Sequence, residues 1–182
     1  MTRILLWSPR DDYLVDALGS LEGIEFLRIG TVAELAQNLS GADAMVLLGT
    51  LYDQAVAKVV HEQSDRLRWI QLTTAGYDGI SFHGVPRSVV VTNAGSIHAP
   101  LIAEHAMMLL SALVRRLPCY EEGKARRTWE RNVPLPLATL EDSHVVILGY
   151  GGIGKEIARL LKAFGSRVTV IARSERHDDV AY

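Results

Sequence analysis

The run from Val145 to Ser174 constrains this chain more than any other stretch. Val145-Val146-Ile147-Leu148 reads as an apolar strand, Gly149-Tyr150-Gly151-Gly152-Ile153-Gly154 as a glycine-rich turn, and Lys155 to Phe164 as an amphipathic helix. Gly165 stops that helix, and Arg167 to Ala172 is a second strand. Alone, G-x-G-x-x-G is a weak pattern; between a strand and a helix it becomes specific. The first glycine permits the tight turn, the second lets the backbone approach a pyrophosphate, and the third packs helix on strand. Free N–H groups and the positive end of the helix dipole then hold the phosphates. Gly149, Gly151, Gly152, Ile153 and Gly154 are therefore candidate cofactor-binding residues. Ile153, Ile157, Leu160, Leu161 and Phe164 fall on one helical face, the stripe expected to cover the sheet.

At the end of the second strand, NAD-binding units carry an Asp or Glu that bonds the ribose 2′-hydroxyl. This chain has Arg173-Ser174, with Arg176 close by. A carboxylate would repel a 2′-phosphate, whereas an arginine pairs with it in two-pronged fashion. Arg173, Ser174 and Arg176 join the cofactor-binding set, and NADP is expected over NAD. The plainer reading of Arg173 is a solvated residue at a strand end.

Composition sets the outer limits. An apolar fraction of 48% and a charged fraction of 22% are those of a soluble globular protein. A net charge of −2 offers no global attraction to nucleic acid or to an anionic membrane. The single Cys119 excludes an internal disulfide and suits a reducing cytoplasm. The longest apolar stretch, Ala99 to Val114, is broken by Glu104 and His105, so it reads as a buried helix rather than a membrane span. Neither a G-x-S-x-G elbow nor the second histidine of H-E-x-x-H after His61-Glu62 is present.

Before the glycine-rich unit, strands alternate with helices. Arg3–Ser8 is a strand stopped by Pro9. Asp11 or Asp12 caps a helix to about Leu21, with Tyr13, Leu14, Ala17, Leu18 and Leu21 inside. Ile24–Ile29 is a second strand, and Thr31-Val32-Ala33-Glu34 is a capping box opening a helix through Leu39. Ala44–Leu48 is a wholly apolar strand, and a helix follows from about Leu51 to Gln63. Leu67–Leu72 and Val89–Thr92 complete five strands. The alternation predicts a parallel sheet with helices on both faces, in a flavodoxin-like first domain over residues 1–95.

Between the fourth and fifth strands lies Thr73-Thr74-Ala75-Gly76-Tyr77-Asp78-Gly79. A loop at the carboxyl end of a strand is where open α/β sheets bind ligands, and its N–H groups suit a carboxylate. The competing reading is a turn needing positive φ at Gly76 and Gly79. Both stay open. Asn93-Ala94-Gly95-Ser96 looks like a hinge into a helix from about Pro100 to Leu117, ended by Pro118. Residues 120–140 read as an irregular basic and aromatic loop around Trp129.

With these segments placed, the chain resembles the D-isomer-specific 2-hydroxyacid dehydrogenases. The matching segments are Trp69-Ile70-Gln71 through Ala75-Gly76-Tyr77-Asp78, Val91-Thr92-Asn93-Ala94, Ile102-Ala103-Glu104-His105, and Ile147 through Gly154. The resemblance implies a two-domain NAD(P)-dependent oxidoreductase that interconverts a small 2-keto acid, such as glyoxylate or hydroxypyruvate, and a D-2-hydroxy acid. By the same resemblance, the backbone at Ala75, Gly76 and Tyr77 would hold the substrate carboxylate, Gly152 and Ile153 the pyrophosphate, and Arg173 and Ser174 the adenosine ribose. It implies a homodimer through the helix over residues 100–117 and the loop after it.

In that family the substrate arginine and the histidine–carboxylate pair that moves the proton come well after the second Rossmann strand. No residue here has the spacing of a substitute, so no catalytic residue is assigned. The expectation is that residues 96–182 comprise a linker helix and the first βαβ unit of an incomplete NAD(P)-binding Rossmann domain. On that view the chain is the N-terminal portion of a longer enzyme and is inactive alone, with residues 141–182 poorly protected. The alternative is a non-catalytic dimerisation module, like the family's transcriptional corepressors.

Overall fold

A computed structural model of the chain describes residues 1–9, 11–18, 21–129 and 137–173. It divides into two compact units, Met1–Gly95 and Ser96–Tyr182.

The first unit runs β1 (Thr2–Trp7), α1 (Asp11–Leu18), β2 (Ile24–Arg28), α2 (Val32–Asn38), β3 (Ala44–Leu47), α3 (Gln54–Gln63), β4 (Trp69–Leu72), α4 (Asp78–His83) and β5 (Val90–Thr92). All strand pairs are parallel, in the order β2-β1-β3-β4-β5. That is the flavodoxin-like winding. Every residue of β3 is buried, as a central strand covered on both faces requires. The period of two sends Leu5, Met45, Leu47, Ile70 and Leu72 to one face, against Leu35, Val56 and Val60 of α2 and α3. Ile4, Leu6, Ala44 and Val46 go to the other, where Leu14 and Val15 of α1 meet them.

Three local expectations shift. On α1 it is Leu14 and Val15 that meet the sheet, whereas Tyr13 and Leu21, expected inside, are 75% and 49% exposed. α3 begins at Gln54 rather than near Leu51, because the Asp53 carboxylate accepts from the Val56 N–H at 2.9 Å and fixes the start there. The Thr31 box forms with one displacement. Its hydroxyl accepts from the Glu34 N–H (3.2 Å), while the Glu34 carboxylate accepts from the N–H of Gly30 at 2.6 Å.

Charges collect at the amino ends of the strands. Arg3 Nε meets Glu25 Oε2 at 2.9 Å, Arg66 Nε meets Asp43 Oδ1 at 2.8 Å, and the Arg3 N–H donates to Asp43 Oδ2 at 2.8 Å. That N–H first, and then the Arg66 guanidinium, hold the Asp43 carboxyl below its ordinary value.

The second unit contains α5 (Ala99–Val114), α6 (Leu117–Ala125), β6 (His144–Leu148), α7 (Gly152–Ala163) and β7 (Arg167–Ile171). β6 and β7 pair in parallel, Val145 opposite Val168 and Ile147 opposite Val170. Met107, Leu140, Ile147, Ala158, Leu161 and Val168 form the core. The helix expected over residues 100–117 ends at Val114, and Pro118 opens a further helix instead of closing the first. A proline in the first turn forfeits no helical hydrogen bond, so it serves as a start. Arg116, with φ +51°, turns the corner, and the segment expected to be irregular is helical as far as Ala125.

α5 is not buried all round. Ala99, Ala103 and Met107 face inward, whereas Leu101 and Leu113 are 69% and 66% exposed. On α7, Ala158 and Leu161 are buried and Ile157 and Leu160 pack beside them, but Ile153 and Phe164, at the two ends of the stripe, stand largely clear. A two-stranded sheet is too small to cover a stripe of that length.

Candidate functional site

The glycine-rich corner follows directly from β6. Gly149 continues the ladder, donating to the Ile171 carbonyl at 2.8 Å, and then takes φ +96°, a conformation that favours glycine. Gly151 is the N-cap of α7, with no side chain bonded to the first turn, so the helix opens with uncapped N–H groups. A Cβ at Gly154 would collide with the carbonyl oxygen of Gly149, while one at Gly151 would meet nothing within 4 Å. The three glycines thus make the turn, leave it open to a ligand, and seat the helix. At Gly152 a Cβ would lie 2.6 Å from that of Ser96. The ammonium of Lys155 sits 5.5 Å over the Tyr150 ring.

A depression of about 770 Å³ opens beside this corner, lined by Leu148, Gly149, Tyr150, Gly151, Ile171, Ala172 and Arg173. No carboxylate is among those residues, and Arg173 stands at the end of β7 with its side chain exposed. A dinucleotide fits what is present: an uncapped helix start for its pyrophosphate, open space at Gly151, and a cation rather than an anion at the far strand end. Ser174 and Arg176 lie outside the described residues.

The second corner follows β4. Thr73 continues the ladder by donating to the Leu47 carbonyl at 3.0 Å. The Thr74 carbonyl then accepts from the Ala94 N–H at 3.0 Å, the Ala75 carbonyl from Asn93 Nδ2 at 2.8 Å, and the Gly76 carbonyl from the Thr74 hydroxyl at 2.9 Å. Ala75, Gly76 and Tyr77 are exposed, and among the described residues none of their N–H groups has an acceptor. Neither Gly76 nor Gly79 has a positive φ, so the positive-φ reading of this turn does not hold. Gly79 is needed for a different reason: a Cβ there would strike the Tyr52 carbonyl oxygen. Gly49, after β3, is held to glycine in the same way by the Thr74 hydroxyl and the Gly76 carbonyl, the latter 2.8 Å from where its Cβ would be.

Beneath the loop, Tyr52 is buried and donates from its hydroxyl to the Gly84 carbonyl at 2.8 Å; burial pushes its ionisation up to about 12. A small cavity of about 170 Å³ lies between Gly49, Tyr52, Thr74, Gly76 and Gly79. Thr73 Oγ1 is a buried polar atom with no partner among the described residues.

The sequence singles out Ala75, Gly76 and Tyr77; the structure adds Thr74, Asn93 and Gly49 to the corner that they form. The one available signal was Asn93-Ala94-Gly95, where an asparagine two residues before a glycine marks an Asx turn; its Oδ1 does accept from the Gly95 N–H, at 3.1 Å.

The histidines are scattered. His61 and His83 end α3 and α4, His98 precedes α5, His105 lies on it, and His144 shares a 2.8 Å hydrogen bond with Thr169 Oγ1. Among the described residues none pairs with a carboxylate, and no three metal-ligating side chains cluster. No described helix is long and apolar enough to cross a membrane.

Residues 107–182 match the family described as D-isomer specific 2-hydroxyacid dehydrogenase, NAD binding domain. Over 152 residues the chain is 30% identical to the human glyoxylate reductase/hydroxypyruvate reductase, covering 81% of this chain and 46% of that protein. Over 170 residues it is 26% identical to the D-3-phosphoglycerate dehydrogenase of Methanocaldococcus jannaschii, covering 92% of this chain and 32% of that one. A crystal structure of a D-isomer specific 2-hydroxyacid dehydrogenase family protein from Aeromonas salmonicida superposes with a TM-score of 0.80 at 29% identity, covering 97% of this chain and 55% of that one. The chain thus spans about a third to a half of the curated relatives it matches.

Proposed function

Because this chain belongs to the D-isomer specific 2-hydroxyacid dehydrogenase family, we propose that it supplies the substrate-carboxylate and dinucleotide-phosphate contacts of an oxidoreductase. The reaction interconverts a small 2-keto acid and a D-2-hydroxy acid, glyoxylate or hydroxypyruvate being the substrate type. The single observation that carries this reading is the corner after β6, with Gly149 at φ +96°, open space at Gly151 and an uncapped helix start.

In this reading residues 1–95 form the substrate unit and residues 96–182 the start of the dinucleotide-binding unit. The N–H groups of Ala75, Gly76 and Tyr77 hold the carboxylate and orient the carbonyl carbon. Gly151, Gly152, Ile153 and Gly154 hold the pyrophosphate, and Arg173, with Ser174 and Arg176, meets the adenosine ribose. When bound, the nicotinamide supplies the hydride. No described histidine is placed to handle the proton, so that step is assigned to none of them.

NADP is the proposed cofactor, on the exposed Arg173 and the lack of a carboxylate among the described residues that line the depression beside it. Titration with NADPH and NADH tests this: NADPH is expected to bind about tenfold tighter, with the preference lost in Arg173→Ala. Equal affinity, or tighter NADH, overturns it.

The exposed apolar side of α5, with Leu101, Ile102, Met108, Leu109 and Leu113, supports a homodimer through that helix. The same surface favours the second reading, a dimerisation module without catalysis. Dimerisation without turnover, or capture of a partner, favours the module. The lone Cys119 supports a reducing, cytoplasmic setting.

A further inference from the structure

We infer that Thr74 and Asn93 are positioning residues, which fix three successive peptide planes so that the N–H groups of Ala75, Gly76 and Tyr77 are presented together to a carboxylate. The inference deepens the reading above and rests on it for the identity of the anion.

A trans peptide unit is planar, so the N–H of one residue points opposite to the C=O of the residue before it. The carbonyls of Thr74, Ala75 and Gly76 are all tied: to the Ala94 N–H at 3.0 Å, to Asn93 Nδ2 at 2.8 Å and to the Thr74 hydroxyl at 2.9 Å. Fixing these three carbonyls fixes the directions of the N–H groups of Ala75, Gly76 and Tyr77. Those N–H groups have no acceptor among the described residues. The loop is exposed, so water would satisfy its carbonyls as well as a protein donor does. Satisfying them is thus not what the ties accomplish. What they add is direction, and oriented donors that need no rearrangement bind an anion better than mobile ones.

Each clamp is itself held. Asn93 uses both ends of its amide: Oδ1 accepts from the Gly95 N–H at 3.1 Å, which leaves Nδ2 to face Ala75. The Thr74 hydroxyl occupies the space that a side chain at Gly49 would need. One charge opposes the arrangement. Asp78 Oδ2 lies 3.8 Å from where a Cβ on Gly76 would stand, so the anion site is tuned down as well as built up.

The test uses the ¹⁵N-labelled 182-residue chain titrated with glyoxylate, alongside Thr74→Val, Thr74→Ser, Asn93→Ala and Asn93→Asp. Asn93→Asp keeps the acceptor for Gly95 and loses the donor to Ala75 but adds a negative charge, so its loop order rather than its affinity reads the clamp should Asn93→Ala fold poorly, and Thr74→Val, which adds no charge, carries the affinity comparison. Glyoxylate is expected to shift the wild-type amides of residues 75–77. Thr74→Val and Asn93→Ala are expected to bind about three- to tenfold more weakly, the scale of one lost hydrogen bond. Thr74→Ser, which keeps the hydroxyl, should restore wild-type binding. Order parameters at residues 75–77 should fall in the weakened variants and in Asn93→Asp while those of β1 to β5 hold, a pattern that general loss of structure would not give. Wild-type affinity in Thr74→Val, with unchanged loop order there and in Asn93→Asp, overturns the inference. If glyoxylate leaves the wild-type amides unmoved, the carboxylate reading fails, and the loop order still decides the clamp: falling order supports it, unchanged order overturns it.

Discussion

After β4 the chain turns through a corner whose three carbonyls are pinned by Ala94, Asn93 and Thr74; after β6 it turns through one whose shape comes from side chains that are missing. Both present backbone N–H groups at the carboxyl end of a parallel strand. The first depends on partners brought from the strand end of β5, the second almost wholly on its own six residues. A corner built by subtraction is written into contiguous sequence. A corner built by clamping is written in part into residues, Asn93 and Ala94 here, that meet it only after folding.

The contrast predicts where an added methyl group is tolerated. At Gly154 it would strike the Gly149 carbonyl, and at Gly79 the Tyr52 carbonyl. Gly154→Ala and Gly79→Ala should each cost roughly 3 kcal/mol, the upper range for overpacking, read by urea unfolding. Gly151→Ala and Gly76→Ala meet open space or only a flexible carboxylate and should stay within about 0.5 kcal/mol. If Gly154→Ala and Gly151→Ala unfold alike, the distinction between a required and a merely permitted glycine collapses.

A smaller effect sharpens the clamped side. Removing the Tyr52 hydroxyl with Tyr52→Phe deletes its bond to the Gly84 carbonyl and should cost about 1 kcal/mol. Tyr52 ionises near 12 when folded, against 10.0 ordinarily, so burial favours its neutral form. A group raised on folding contributes fully below its unfolded value; here that contribution is lost between pH 10.0 and about 12. Alkaline unfolding followed by circular dichroism should therefore be shallower in Tyr52→Phe than in the wild type over that window. Equal slopes would remove Tyr52 as its source.

The smallest effect concerns Asp78. Asp78→Asn removes a negative charge beside Gly76 and should tighten glyoxylate binding about twofold, within the range of exposed charge interactions. Unchanged or weaker binding would place the anion elsewhere.

What could be read in advance follows the same division. The winding of β1 to β5 was legible because each strand is a short apolar run and each helix carries a cap or a stop; the wholly apolar β3 announced its central place. Gly149, Gly151 and Gly154 were legible because their roles depend on neighbours in sequence. Asn93 was not, since no spacing reveals that a side chain after β5 will reach a carbonyl after β4, and the Thr74 hydroxyl, only two residues from the Gly76 carbonyl, gave no sign of which local group it would choose. Pro118 misled for a related reason. Proline both ends helices and starts them, and only the αL turn at Arg116 decides which applies. Ile153 and Phe164 lie on the stripe that helical periodicity turns inward, but periodicity does not say how wide the facing sheet will be.

Because every strand of the first sheet runs the same way, that unit has two unlike rims. The loops after β3, β4 and β5 share one, and Arg3, Glu25, Asp43 and Arg66 share the other. Strands of three to six residues separate the rims by roughly 10–20 Å. That exceeds the screening length of about 8 Å at physiological ionic strength. Substitutions among the ion pairs can thus alter isoelectric point, salt tolerance or heat resistance while leaving the loop after β4 electrically undisturbed. Adaptation to a new environment and retention of an old chemistry can proceed on separate edges of one sheet.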